Sequence, residues 1–417
     1  MNIVIIGGGP AGILATVAAS KSNKNKIFLL EKNEKLCKKL FITGKGRCNL
    51  TNNCGKEEFF KNIVSNPKFL YSAFTEFDNM DLKKLVEDNG CLLKVERGNR
   101  VFPVSDKSYD VIDALKKAIK KNNVEIKLNS ELIQINENIS NKNFDLIIKN
   151  QKNIIADKLI IATGGLSYKS TGSTGDGYKF ARAFNIKVTD LTQSLVPFNV
   201  KEVEECKLMQ GLTLKNISIK ILNKDNKIVY KDFGELLFTH FGVSGPTILS
   251  ASSFLTNNEY ILSIDLKPSL SVKQLDLRLI REFENNNKKL KNVLNSLMPN
   301  SMIEVFINRL IHLTGDDNIG EIFVCDLSKD VRKSIINLLK DFTFILLSKR
   351  GFEEAIITKG GIDVKELNPK TMESKKIKGL YFAGEVIDID ALTGGFNIQI
   401  AATTGYVAGK NASYDIQ

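Results

Sequence analysis

MNIVIIGGGPAGILATVAAS (residues 1–20) decides the fold once it is joined to KIFLLE (26–31). The apolar run 2–6 reads as a buried strand, the glycines break it, and a helix follows over about 10–22. Residues 26–30 give a second strand, so the segment is a β-α-β unit with short connections. Gly7, Gly9 and Gly12 meet the G-x-G-x-x-G spacing directly after a strand and at the opening of a helix. Gly7 permits the tight turn, Gly9 lets a pyrophosphate approach the backbone, and Gly12 lets helix and strand pack closely. Pro10 and Ala11 open the helix, whose N-terminal N–H groups and partial positive charge suit an anion. Glu31 ends the second strand, 19 residues after Gly12. A carboxylate there accepts from both hydroxyls of a ribose and repels a 2′-phosphate, which favours FAD or NAD over NADP. The same N-terminus lacks a basic n-region and is expected to be a strand, not a signal peptide.

Two distant segments choose between FAD and NAD. IIATGG (160–165), with Ala162 and Gly164, is a short strand ending in glycines and resembles the A-T-G-G that lies beside the bound dinucleotide in FAD proteins of the glutathione-reductase type. GLYFAGEVIDIDALTGGFNIQIAATTG (379–405) holds a buried strand, Gly384-Glu385, a loop, Gly394-Gly395 and a helix of small residues. The start of that helix, Gly395 to Asn397, would point a positive end at a flavin, which stabilises its reduced anion. Motifs at both ends of the chain fit one extended cofactor, FAD.

Between them the texture changes. From about 191 to 268 the chain is strand-like (SLVPFNV, LKNISIKIL, KIVYKD, ELLFTHF, YILSIDL), with NKDN at 223–226 as a hairpin turn. From 271 to 340 helical spacing takes over, as in SMIEVFINRLIHL, where Arg309 is the polar interruption of an i, i+3, i+4 pattern. TFILLS and EEAIIT (343–348, 353–358) return to strands. The expected fold is α/β: a discontinuous Rossmann-like FAD domain, 1–190 plus 358–417. Inserted in it are a β-barrel domain, 191–269 plus 341–357, and a helical subdomain, 270–340. Helices are also expected at 81–89, 108–121 and 178–184.

Composition adds bounds. The 417 residues carry a formal charge of +12, scattered rather than in runs. This is ordinary for a Lys-rich sequence, or else a patch for RNA or an anionic substrate. Six cysteines form no C-x-x-C and no zinc spacing with His240 or His312, so no metal site is expected and a reducing cytoplasm fits. No apolar run is long enough to span a bilayer.

FITGKGRCNLTN (41–52) lacks P-loop spacing. Arg47 beside glycines suits a pyrophosphate or an anionic substrate, and otherwise reads as a surface ion pair. Cys48 is a candidate redox group against a flavin, and otherwise a packed thiol. His240 is a candidate proton donor, and otherwise a packed barrel histidine. The loop around Gly172, Gly175 and Asp176 reads as an entrance to the site or as the cap of a helix.

With KKLFITGKGRCNLTN, STGSTGDGY (170–178), LFTHFGVSGP (237–246), ITKGGI (357–362) and TMESKKIKGLYFAGEVIDIDALTGGFNIQ (371–399), the chain resembles the BaiN/YhiN-like family of FAD-dependent oxidoreductases. The resemblance covers nearly the whole chain. It implies FAD contacts from Gly7, Gly9, Pro10, Ala11, Glu31, Lys32, Gly46, Arg47, Asn49, Ala162, Gly164, Gly384, Glu385, Asn397 and Ile398. One departure is Ile400-Ala401-Ala402, where relatives often carry Trp. The implied activity is reduction of an activated C=C or C=O of a small organic substrate with NAD(P)H as transient donor. An amine or aminoketone oxidase using dioxygen and a flavin-dependent RNA-modifying protein are the alternatives, beside a FAD-bound redox sensor. No second dinucleotide fingerprint stands in 191–357. The expected partner is a small molecule, with neither nucleic acid nor membrane, and a homo-oligomer is left open.

Overall fold

The computed structural model describes residues 1–120, 123–284 and 286–414. The expected helix end at 121 and the last three residues of the expected FAD domain lie outside them. Two compact units form, Met1–Ser194 with Phe352–Gln417, and Leu195–Gly351.

The first unit is built on a five-stranded parallel sheet. Its order is Leu380–Phe382, Lys158–Ile161, Asn2–Ile6, Lys26–Leu30, Val124–Lys127. The first strand is central, with Ile5 opposite Ile160 on one side and Leu29 on the other. Both faces are covered, which is why these strands read as unbroken apolar runs. Two helices cross one another closely, Pro10–Ala19 and Phe396–Ala412. A Cβ on Gly405 would stand 2.1 Å from the Ala11 carbonyl oxygen, and one on Gly409 2.0 Å from that of Ala15. The small residues of the last helix therefore set the spacing of this layer.

The rest of the unit is smaller. Thr51–Asn52, Arg100–Pro103 and Leu93–Glu96 form one antiparallel sheet, and Leu132–Asn138, Asn143–Ile148 and Ile154–Ala156 another. Helices run over Lys56–Lys61, Pro67–Glu76, Asn79–Asp88, Ser108–Ala118 and Asp176–Ala183. EEAIIT, expected as a strand, contributes only its end: the strand is Ile357–Lys359, paired with Thr192–Ser194.

The second unit holds a closed six-stranded barrel of Phe198–Val200, Gly242–Ser244, Ile228–Thr239, Thr213–Leu222, Tyr260–Asp265 and Phe342–Lys349. KIVYKD and ELLFTHF, read as separate strands, are one strand here, because the ladder to Thr213–Leu222 continues through the polar residues between them. Val272–Phe283, Asn300–Thr314 and Lys329–Lys340 are helices of the same unit. Arg309 pairs with Glu205 (2.5 Å), donates to the Thr343 carbonyl (2.8 Å) and lies over the Phe342 ring. The polar break in the helical pattern is thus a tie between helix and barrel strand.

Candidate active site

The site is built where the central strand of the first unit ends. Gly7 turns the chain with φ +106, and a Cβ on it would stand 2.4 Å from the Ala162 carbonyl oxygen. A Cβ on Gly12 would stand 1.8 Å from the Gly7 carbonyl oxygen. Gly9 differs: a Cβ there meets nothing within 4 Å. Gly7 and Gly12 are therefore glycines for the protein's own packing, while Gly9 faces open space. No side chain among the described residues caps the helix that starts at Pro10, and the first N–H groups of a helix have no partner within it.

A cleft opens there, lined among others by Gly7, Gly9, Pro10, Ala11, Glu31, Lys32, Ala162, Gly164, Gly384 and Glu385. All ten were named from sequence. Glu31 is buried, accepting from the Gly8 N–H (2.7 Å), the Asn33 N–H (2.8 Å) and the Asn33 amide (2.7 Å). A carboxylate has about four acceptor positions, so one remains for a hydroxyl. Thr163 also lines the cleft, but its hydroxyl is buried toward Gly177 and has no hydrogen-bond partner among the described residues. An open glycine backbone, an uncapped helix end and a fixed acid fit a dinucleotide.

Lys32 is tied to Thr174 (2.5 Å) and Asp176 (2.7 Å). The loop 171–176 consequently walls the cleft, with Thr171, Gly172, Ser173 and Asp176 lining it. Lys32 and Thr174 hold Asp176 below the usual carboxylate range against the opposing effect of burial, which is the largest single influence on it. At the other wall, Lys39 meets Glu385 at 2.7 Å and the Ser167 hydroxyl at 2.6 Å. Glu385 also accepts from Ser167 (2.9 Å) and the Thr358 N–H (2.9 Å). Lys39, Ser167 and Thr358 escaped the sequence reading, since nothing in their spacing from Glu385 marks the contact.

The other named residues lie off the cleft lining. Asn49, with its amide oxygen toward Gly395, accepts from the Gly395 N–H and donates to the Thr51 carbonyl, both at 3.2 Å. Gly395 has φ +94, and a Cβ there would stand 2.5 Å from Thr51 backbone. Asn397 clasps Ala391, accepting from its N–H (2.9 Å) and donating to its carbonyl (2.7 Å). Ile398 is packed against the core of the unit. Gly46 has φ +83 in a turn where Gly44 and Lys45 are also left-handed.

Arg47 is not a free cation. Glu96 and Asp106 each stand 2.5 Å from it, and its guanidinium lies over the Phe102 ring. The surface ion pair that sequence offered as the plainer reading is what the side chain makes. Cys48 is fully buried, and burial pushes its thiol up to about 12. It is protonated at neutral pH, the state of a packed thiol rather than of a redox nucleophile. His240 belongs to the second unit, exposed at the turn after Ile228–Thr239, edge-on to Phe241 at 5.0 Å.

A family model described as the HI0933-like protein Rossmann domain matches residues 1–411. The chain belongs to the HI0933-like family. This makes it an FAD-dependent oxidoreductase, as the glycine turn and acid imply. Among curated HI0933-like relatives, the ribosomal RNA dihydrouridine synthase of Escherichia coli is 30% identical over 98% of this chain and 97% of its own. That of Haemophilus influenzae is 29% identical over 98% of each. The 3-dehydro-bile acid delta(4,6)-reductase of Clostridium scindens is 28% identical over 99% of each. No helix among the described residues is long and apolar enough to cross a membrane, and no group of acids, histidines and cysteines among them could hold a metal ion.

Proposed function

We propose that this HI0933-like protein reduces a carbon–carbon double bond conjugated to a carbonyl, and that the bond is C5=C6 of a uracil base in RNA. The observation that carries the reading is the near-full-length match to two ribosomal RNA dihydrouridine synthases. The bile-acid reductase supports the chemistry, because a 3-keto steroid with double bonds at 4 and 6 is also a conjugated enone. The formal charge of +12 suits a polyanionic substrate. This replaces the expected small-molecule partner with a base in a nucleic acid; a small enone is the second reading, favoured by the bile-acid relative.

Saturating the base places a hydride on C6, β to the C4 carbonyl, and a proton on C5. NAD(P)H supplies the electron pair and leaves as NAD(P)⁺. When bound, FAD supplies the hydride chemistry between that donor and the base. The protein's part is to hold and orient. The Gly7–Ala11 turn and helix end take the pyrophosphate, Glu31 takes a ribose hydroxyl, and Glu385 with Lys39 braces the opposite wall.

The test is anaerobic incubation of FAD-loaded protein with NADH or NADPH and ribosomal RNA free of dihydrouridine, followed by mass spectrometry of the nucleosides. Dihydrouridine formation supports the reading. Turnover of a conjugated small enone without any dihydrouridine moves the assignment to the second reading, and turnover of neither overturns both.

A further inference from the structure

We infer that the outward face of the sheet Thr51–Asn52, Arg100–Pro103, Leu93–Glu96, with the adjoining Phe41 and Ile42, docks single-stranded RNA; this rests on the RNA reading above. Lys94 stands opposite Phe102 and Glu96 opposite Arg100, so these four share one face. Both Arg47 and Arg100 lie over the Phe102 ring, at 4.1 and 5.8 Å, and mark that face as the one they cover.

Charge and exposure select the occupant. Residues 41–47 and 92–107 hold six cations and two carboxylates. Both carboxylates, Glu96 and Asp106, are engaged by Arg47 and Lys94. The remaining cations, Lys45, Arg97, Arg100 and Lys107, are exposed and have no carboxylate partner among the described residues. Interleaved with them, Phe41, Leu92, Val104 and Tyr109 are each more than half exposed. The Val104 N–H donates to the Leu92 carbonyl, which makes those two residues neighbours, and the Ser108 hydroxyl donates to the Phe41 carbonyl, which ties Phe41 to the residue before Tyr109. Cations for phosphates beside aromatic rings for unpaired bases, here Phe41 and Tyr109, are the means by which single strands are held.

The surface also leads to the site. One short helix, Lys38–Ile42, puts Lys38, Lys39 and Leu40 in the cleft wall and leaves Phe41 and Ile42 exposed at its end. That helix joins the surface to the cleft wall, and a base that is to be reduced must leave its stack.

The test compares two charge-reversed variants of the holoenzyme, Arg100→Glu/Lys107→Glu on this surface and Lys224→Glu/Lys227→Glu on the barrel hairpin. The probe is a single-stranded uridine-rich RNA. The first variant should bind it at least about tenfold more weakly, with a salt slope shallower by about 1.4 for two lost phosphate contacts. Its flavin content and its bleaching by NAD(P)H should match wild type, and the barrel variant should bind RNA as wild type does. Phe41→Ala should weaken binding roughly five- to hundredfold even at high salt, where stacking dominates. Unweakened binding by the first variant, or equal weakening by both, overturns the surface, while dihydrouridine formation by wild type leaves the RNA reading standing. Wild-type protein that neither retains nor reduces RNA overturns both.

Discussion

Lys39 Nζ lies 2.7 Å from Glu385 Oε2, joining residues 346 positions apart across one wall of the cleft. Ser167 bonds to both, at 2.6 and 2.9 Å. The three come from the helix after the Glu31 strand, the loop after the Ala162 strand and the last glycine motif. The wall thus joins the stretches that follow the first two cofactor segments to the third.

Glu385→Ala should remove the partner of Lys39 and strand the Thr358 N–H. The expected cost is about 1–3 kcal/mol of stability, typical of lost hydrogen bonds to a charged group, with FAD affinity reduced at least tenfold. Glu385→Gln should keep the Thr358 bond and lose less. Urea titration of the apoprotein and fluorescence titration with FAD measure both; an unchanged FAD affinity in Glu385→Ala would remove this residue from the site.

Cys48 gives a pH prediction. Its thiol is pushed up to about 12 by burial, whereas an unfolded thiol ionises near 8.5. Above that value the unfolded chain releases a proton the folded chain keeps. Stability intact below about pH 8.5 is therefore lost as pH rises toward 12, by up to about 1.4 kcal/mol per pH unit. Cys48→Ala should show a shallower decline between pH 8.5 and 10.5. At pH 8 an alkylating agent should label exposed Cys325 before Cys48, as peptide mapping reads directly.

Asp106 accepts from both Arg47 and Lys94. Asp106→Asn should free charge on the proposed RNA face and tighten RNA binding at low salt, an effect that disappears at high salt. Filter binding at two ionic strengths measures it, and weaker binding in the variant would contradict the proposal.

Much of this was legible because backbone constraints leave marks in single residues. Gly7 and Gly12 must be glycine whatever the chain binds, and the buried parallel strands had to be apolar runs. The barrel was legible as a change of texture, but the joined strand Ile228–Thr239 was not, since its middle is polar and its pairing partner, not its burial, keeps it extended. The edge-like strand Leu132–Asn138 is mostly exposed and shows no clean alternation. Among the site residues, Glu31 was readable from spacing, whereas Lys39 was not, because its partner is set by tertiary packing alone. Arg47 looked like a phosphate ligand from its glycine neighbours, and the carboxylates that hold it lie 49 and 59 residues away.

The central claim is that the cleft at the Gly7–Ala11 turn holds FAD. The most direct measurement is the FAD-to-protein ratio and thermal midpoint of wild type, Gly9→Val and Gly12→Val. A Cβ at Gly9 meets open space and one at Gly12 meets backbone at 1.8 Å. Wild-type protein should be yellow, Gly9→Val protein folded but FAD-free with the midpoint of the apoprotein, and Gly12→Val protein destabilised or unfolded. Wild-type protein that refuses FAD on reconstitution, or Gly9→Val protein that binds it like wild type, would contradict the account.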